Sequence, residues 1–295
     1  MRYLLILLIS IVLLFSSGCT GPVEKTNIGG VDIGFLLNQP PRELREDANF
    51  MVGLELINNL PKAVEGTLCL SDTPANSFGG IQEPECRAIF MAPAEVSGNS
   101  KYVEESRFYF PETGSYYYHN LEMGIDTTTI TAELEYSLES VIRGEICLKR
   151  DPAQEIADCR SNDVLTKGNK ITSDFAPVTI DRIETSIVPE GGQNRLYLEI
   201  DITKIPYGEI ISETGESILM MDIELAGTPS VFECYPLRNG GIRMVEDRKT
   251  VKCDSFISLG AQEFYMDSLI IKLNYDYSIS ASTGAIALKR KTGDR

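Results

Sequence analysis

The chain has 295 residues with 43 Asp and Glu against 27 Lys and Arg, a formal net charge of −16. So acidic a surface argues against nucleic acid and anionic lipid as partners, since both carry dense negative charge of their own. One histidine, no tryptophan and seven cysteines leave little for histidine-based catalysis and much for cross-linking. The first element is at the N-terminus. Arg2 precedes an apolar run at 3–15 broken only by Ser10, and Ser16-Ser17-Gly18-Cys19 follows. A basic start, a short apolar core and a small-residue exit describe a secretory signal. The run falls short of the roughly 20 apolar residues that cross a bilayer comfortably.

Cys19 directly after Gly18 resembles the lipobox of lipoproteins, in which the signal is cut before the Cys and the Cys carries the lipid. The residue three before it is Ser16, where bacterial lipoboxes prefer Leu. Two routes fit: lipidation at Cys19, or retention of 1–18 as an uncleaved anchor. Both leave the rest outside the cytoplasm, on the outer face of the cytoplasmic membrane. Cleavage would remove Arg2 and no acid, taking the net charge from −16 to −17.

After a short tether at 19–30, period-two alternation dominates. Phe50, Val52, Leu54 and Leu56 alternate with Met51, Gly53, Glu55 and Ile57. Ile130, Ala132, Leu134 and Tyr136 alternate with Thr129, Thr131, Glu133 and Glu135. Leu196, Leu198, Ile200 and Ile202 do so with Tyr197, Glu199, Asp201 and Thr203. Leu269, Ile271, Leu273, Tyr275 and Tyr277 complete the set. Successive side chains of a strand point to opposite faces, so each segment predicts a strand with one buried and one wet side. Further strands are expected near 32–37, 64–70, 85–91, 103–110, 141–149, 178–188, 217–225, 230–235, 249–256 and 284–290. Turn signals separate them, among them Asn38-Gln39-Pro40-Pro41, Pro189-Glu190-Gly191-Gly192 and Asn239-Gly240-Gly241. One helical turn is expected at 153–158. Short strands with Gly/Pro punctuation imply antiparallel sandwiches or barrels. The polar stretch at 160–174 is the best boundary, dividing the chain into β-sandwich units at 31–165 and 175–290 with a polar tail at 291–295.

Setting Cys19 aside leaves six cysteines, an even set, which in an exported chain predicts a disulfide framework. Six allow 15 connectivities. Proximity along the chain suggests Cys69 with Cys86, Cys147 with Cys159, and Cys234 with Cys253, each closing a loop worth about 3 kcal/mol in the chain-entropy model. Zinc is poorly supported, because no CxxC occurs and His119 is the sole histidine.

Three stretches resemble archaeal exported proteins with tandem immunoglobulin-like domains. Gly34-Phe35-Leu36-Leu37-Asn38-Gln39-Pro40-Pro41, with the strand at 50–58, resembles the opening of such a domain. Ala176-Pro177-Val178-Thr179-Ile180-Asp181-Arg182-Ile183 resembles the entry of the next, and 269–277 a closing strand. The resemblance implies an all-β cell-surface protein with two tandem sandwiches and no known chemistry. It supplies no functional residues.

No P-loop, GxGxxG, HExxH or GxSxG is present, so no catalytic residue, metal site or cofactor is expected. Tyr116-Tyr117-Tyr118-His119-Asn120 reads either as an aromatic recognition patch or as a strand end packed by tyrosines, with packing favoured. Glu43, Glu46, Asp47, Asp201 and Asp222 supply the oxygen chemistry that calcium needs, although no DxDxDG loop gathers them. Three functions compete. The first is a non-enzymatic, membrane-anchored structural or interaction protein whose partner is a protein or a surface polymer. The second is an accessory subunit of an envelope secretion, transport or filament complex. The third is a carboxylate-dependent hydrolase of surface polymers, which requires a cleft with two facing acids.

Overall fold

The alternating segments form strands throughout the computed structural model, which describes residues 30–74, 78–97, 100–121, 124–157, 159–174, 176–212, 216–237, 241–260 and 262–291. The segment expected as a signal or anchor (1–18), Cys19, the expected tether through residue 29, Asn239-Gly240 and residues 292–295 of the expected tail lie outside these. Among the described residues there is no α-helix. In chain order the strands are β1 (Val31–Phe35), β2 (Glu43–Arg45), β3 (Val52–Asn58), β4 (Val64–Asp72), β5 (Glu85–Met91), β6 (Glu95–Ser97) and β7 (Ser100–Tyr102). Next come β8 (Glu105–Phe110), β9 (Thr127–Thr128), β10 (Ile130–Lys149), β11 (Asn162–Lys167), β12 (Lys170–Ser173), β13 (Val178–Glu190) and β14 (Gln193–Lys204). The last are β15 (Glu209–Ile211), β16 (Ile218–Leu225), β17 (Glu233–Tyr235), β18 (Gly241–Arg243), β19 (Arg248–Ile257), β20 (Phe264–Ser282) and β21 (Ile286–Lys289).

Two long strands organise the rest. β10 and β20 pair antiparallel from Thr131 opposite Ser282 to Lys149 opposite Phe264 without a register shift. At about 3.4 Å per residue this ladder runs about 60 Å. The other edge of β10 is shared. β4 takes it from Ile130 to Tyr136, and β12 takes it from Ile142 to Gly144. The main sheet runs β17-β19-β14-β13-β11-β12-β10-β20-β16-β18, with β4 and β5 branching from β10 and β15 from β20. A smaller sheet, β1-β3-β8, meets β5 across the core, where the Arg87 guanidinium lies 4.9 Å from the Phe108 ring and 4.2 Å from that of Phe110. This end is sandwich-like.

About a third of the way along the ladder from Thr131, Tyr136 faces Tyr277, their rings 6.0 Å apart and edge-on. Tyr275 stands 6.1 Å from Tyr277. Its hydroxyl lies 3.0 Å from Ser140 Oγ and accepts the Val178 N–H at 3.3 Å. Burial pushes the Tyr275 phenol up to about 12. Tyr277 donates to the Tyr207 carbonyl at 2.5 Å. A buried phenol needs such a partner, because an unpaired hydroxyl in the interior costs about 1–3 kcal/mol. At the far end the Asn194 amide donates to the Lys149 and Arg150 carbonyls, both at 2.7 Å, and ties the start of β14 to the tip of β10.

Several expectations are revised. The strands expected at 129–136 and 141–149 are the single strand β10. The polar stretch at 160–174, expected as a linker, carries β11 and β12, which bridge β13 to β10. Each buries little besides one apolar side chain, Leu165 or Ile171, and the other positions are polar except for the exposed Val164. The β10–β20 ladder joins a strand from the unit expected at 31–165 to one from the unit expected at 175–290. Apolar side chains of both belong to one core cluster. Pairing is antiparallel except for β2 with β21 and β11 with β12, which are parallel. The segment at 153–157 forms turns, not a helix.

Candidate functional site

Among the described residues a broad concave surface lies on the solvent side of β17-β19-β14-β13-β11. Alternation assigns the two faces. Leu165, Ile183, Ile187, Leu196, Leu198, Ile200, Val251 and Cys253 point into the core, so the residues between them point out. Register sets these in rows across the strands. One row reads Glu233, Asp254, Tyr197, Ser186 and Asn162. The next reads Tyr235, Lys252, Glu199, Glu184 and Val164. The sheet curls so that the rows line a groove of about 870 Å³. That is the size of a ligand cleft rather than a surface dimple.

The charges in the groove are cross-linked to one another. Lys252 Nζ lies 3.0 Å from Glu199. Arg195 clamps Asp254 through Nε at 2.6 Å and Nη2 at 2.5 Å, and reaches Glu190 at 3.2 Å. Arg182 pairs closely with Glu184 and lies 3.7 Å from Asp201. These pairs hold Glu184 and Glu199 side by side, which two unscreened carboxylates opposite each other would resist. Tyr197 is held in place as well. Its hydroxyl donates to Glu190 at 3.3 Å, and the Arg195 guanidinium sits 5.6 Å from the ring centre. Tyr235, 77 % exposed, forms the rim.

The disulfides frame this surface and the opposite end. Cys69 joins Cys86, Cys147 joins Cys159, and Cys234 joins Cys253. Cys69 and Cys86 are directly opposed on β4 and β5, and Cys234 and Cys253 on β17 and β19, each with Cα atoms 4.0 Å apart. That spacing belongs to the narrow, non-hydrogen-bonded positions of an antiparallel ladder. β17 pairs with β19 over three residues only, and the bridge pins it there. Cys147–Cys159 closes the turns between β10 and β11.

The tyrosine run packs. Tyr116 and Tyr118 are buried against Phe50, with ring centres 5.6 and 5.4 Å away, while Tyr117 is exposed. The Tyr118 hydroxyl donates to Asp72 Oδ2 at 2.6 Å, and the Ile81 N–H donates to the same oxygen at 3.0 Å. Gly80, at φ 75°, passes so close to Tyr118 and Asp72 that a Cβ would clash with both. Burial holds the Asp72 carboxyl above its ordinary 3.8, against the opposing pull of the Ile81 and Tyr118 hydrogen bonds. A carboxyl whose folded pKa exceeds its unfolded one stabilises the fold while protonated, and that contribution is lost as pH rises through the folded value. Asp72→Asn is therefore expected to flatten the loss of stability as pH rises above the ordinary carboxyl value. Parallel slopes of urea midpoint against pH for the two proteins would refute this.

The acids weighed for calcium are not brought together. Glu46 accepts the Leu121 N–H at 3.1 Å and the Lys291 N–H at 2.9 Å. Asp47 pairs with Lys291 at 3.3 Å, and Glu43 with Arg45 at 3.6 Å. Asp201 on β14 accepts from Thr250 at 2.7 Å, whereas Asp222 stands opposite Lys272 on β16, a distant strand of the same sheet. Among the described residues no group of three or more His, Cys, Asp or Glu is placed to hold a metal ion. Sequence reading did not find the groove. Tyr197 and Glu199 were visible as the wet half of an alternating strand, but nothing indicated which strands stand beside them.

An all-β chain carrying three disulfides suits an oxidising, extracellular setting, where such bridges form and persist. No known family model matches the chain, and no curated protein matches it in sequence.

Proposed function

We propose that the chain is a non-enzymatic surface protein, held on the outer face of the cytoplasmic membrane by Cys19 lipidation or by its N-terminal segment, that presents a rigid β-structure for binding. The observation that carries this reading is the set of three disulfides in an all-β fold. A reducing compartment would keep these thiols free. Likeness to archaeal surface proteins with tandem immunoglobulin-like domains belongs to the same proposal and rests on the stretches at 34–58, 176–183 and 269–277. The binding surface is the groove of β17-β19-β14-β13-β11, because it is concave and most of its charged side chains are held by ion pairs before any partner arrives. The test is labelling of lysines on intact cells with a membrane-impermeant reagent, followed by intact-mass analysis. Labelling without lysis, six oxidised cysteines and an acyl mass on a chain beginning at Cys19, or an uncleaved N-terminus, are expected. Labelling only after lysis, together with free thiols, would sink the proposal.

A further inference from the structure

We infer that the β17-β19-β14-β13-β11 groove binds a neutral oligosaccharide, an inference that rests on the groove being this chain's binding surface. Charge decides the ligand class. The lining carries Asp163, Glu184, Glu199, Glu233 and Asp254 against Lys252, so an anionic ligand meets repulsion. A cationic ligand would have to displace cations already in place at four of the five carboxylates, since Glu199 is held by Lys252, Asp254 by two Arg195 nitrogens on its Oδ2, Glu184 by Arg182 and Asp163 by Lys170, which leaves Glu233 alone to attract it. A neutral polyol meets neither obstacle. Each of its hydroxyls both donates and accepts. A carboxylate with one or two lone-pair sites occupied keeps others open, and the Lys252 ammonium and the Asn162 amide still have N–H groups to offer.

The aromatic components match. A pyranose ring has a flat C–H face that packs on an aromatic ring, and the groove supplies Tyr197 on its floor and Tyr235 on its rim. A tyrosine has two side-chain torsions, so ordering either ring costs little entropy. Tyr197 is fixed by Glu190 and Arg195. Tyr235 is carried by a three-residue strand that the Cys234–Cys253 bridge fastens to β19. Five strands at about 4.8 Å spacing make the groove roughly 20 Å across, which suits several sugar rings in a row rather than one.

The test is calorimetric titration of the full chain in detergent with trimers to hexamers of neutral hexoses and N-acetylhexosamines, with hexuronate oligomers and oligolysine alongside. Binding of a neutral member is expected. Tyr235→Ala, at an exposed position, is expected to weaken it about tenfold with no change in melting temperature, and Tyr197→Ala to weaken it as much or more. Tyr102→Ala, exposed and outside the groove, leaves it unchanged. Absence of binding to every neutral member by the folded chain, equal affinity of the Tyr235→Ala protein, or preference for hexuronate or oligolysine would overturn the inference. A chain that is labelled on intact cells yet ignores neutral saccharides loses the glycan assignment and keeps its place at the surface.

Discussion

Tyr277→Ala is expected to lower unfolding free energy by about 3–5 kcal/mol, a large share of the roughly 5–15 kcal/mol that holds a domain folded. The ring is fully buried, edge-on to Tyr136 and Tyr275. No neighbour can close over the missing volume without breaking the β10–β20 register that fixes all three tyrosines. Tyr277→Phe keeps the volume and orphans only the Tyr207 carbonyl, so about 1 kcal/mol is expected from it. Because the ladder joins strands from both halves of the chain, the Tyr277→Ala loss should shift one cooperative urea transition. A loss under about 1 kcal/mol, outside the range for such truncations, would refute the assignment, as would two separable transitions of which one stays put.

Reduction of the disulfides is expected to have a larger effect still. The bridged cysteines are 17, 12 and 19 positions apart. Each bridge limits the unfolded chain by about 3 kcal/mol, and together by about 9 kcal/mol, comparable with the whole stability of a domain. Cys86 is exposed, so a phosphine reductant reaches the Cys69–Cys86 bridge in the native state, whereas Cys253 and Cys159 are buried and their partners Cys234 and Cys147 half-buried. The expected sequence is loss of the Cys69–Cys86 bridge, followed by unfolding that exposes the other two. Urea titrations with and without reductant measure it. Coincident curves would show that the bridges are ornamental.

The cysteine pairing was readable in advance because each partner lies within twenty residues. Strand positions were largely readable too, since Leu54, Leu134, Leu198 and Leu273 sit in alternating rows whose buried side is unmistakable. The single strand β10 was not. Its inward row runs Leu138, Ser140, Ile142, and a serine among apolar positions looks like a break. Ser140 is buried because Tyr275, 135 residues onward, supplies its hydrogen bond. No local window contains that partner. β11 and β12 were missed for a related reason, as the adjacent Val164 and Leu165, or Ile171 alone among polar neighbours, carry no periodicity. The groove was illegible because it is a product of register among five strands, and β17 contributes two outward side chains to it.

The placement of the bridges also determines what a protease can do to this protein. Cys69–Cys86, Cys147–Cys159 and Cys234–Cys253 each span a connection between elements, the kind of exposed segment where peptide bonds are cut first. A nick inside any of the three leaves both new ends covalently joined at the base of the loop. Strands on either side of the cut keep their places, and the molecule goes on working with a broken backbone, falling apart only when it meets a reductant.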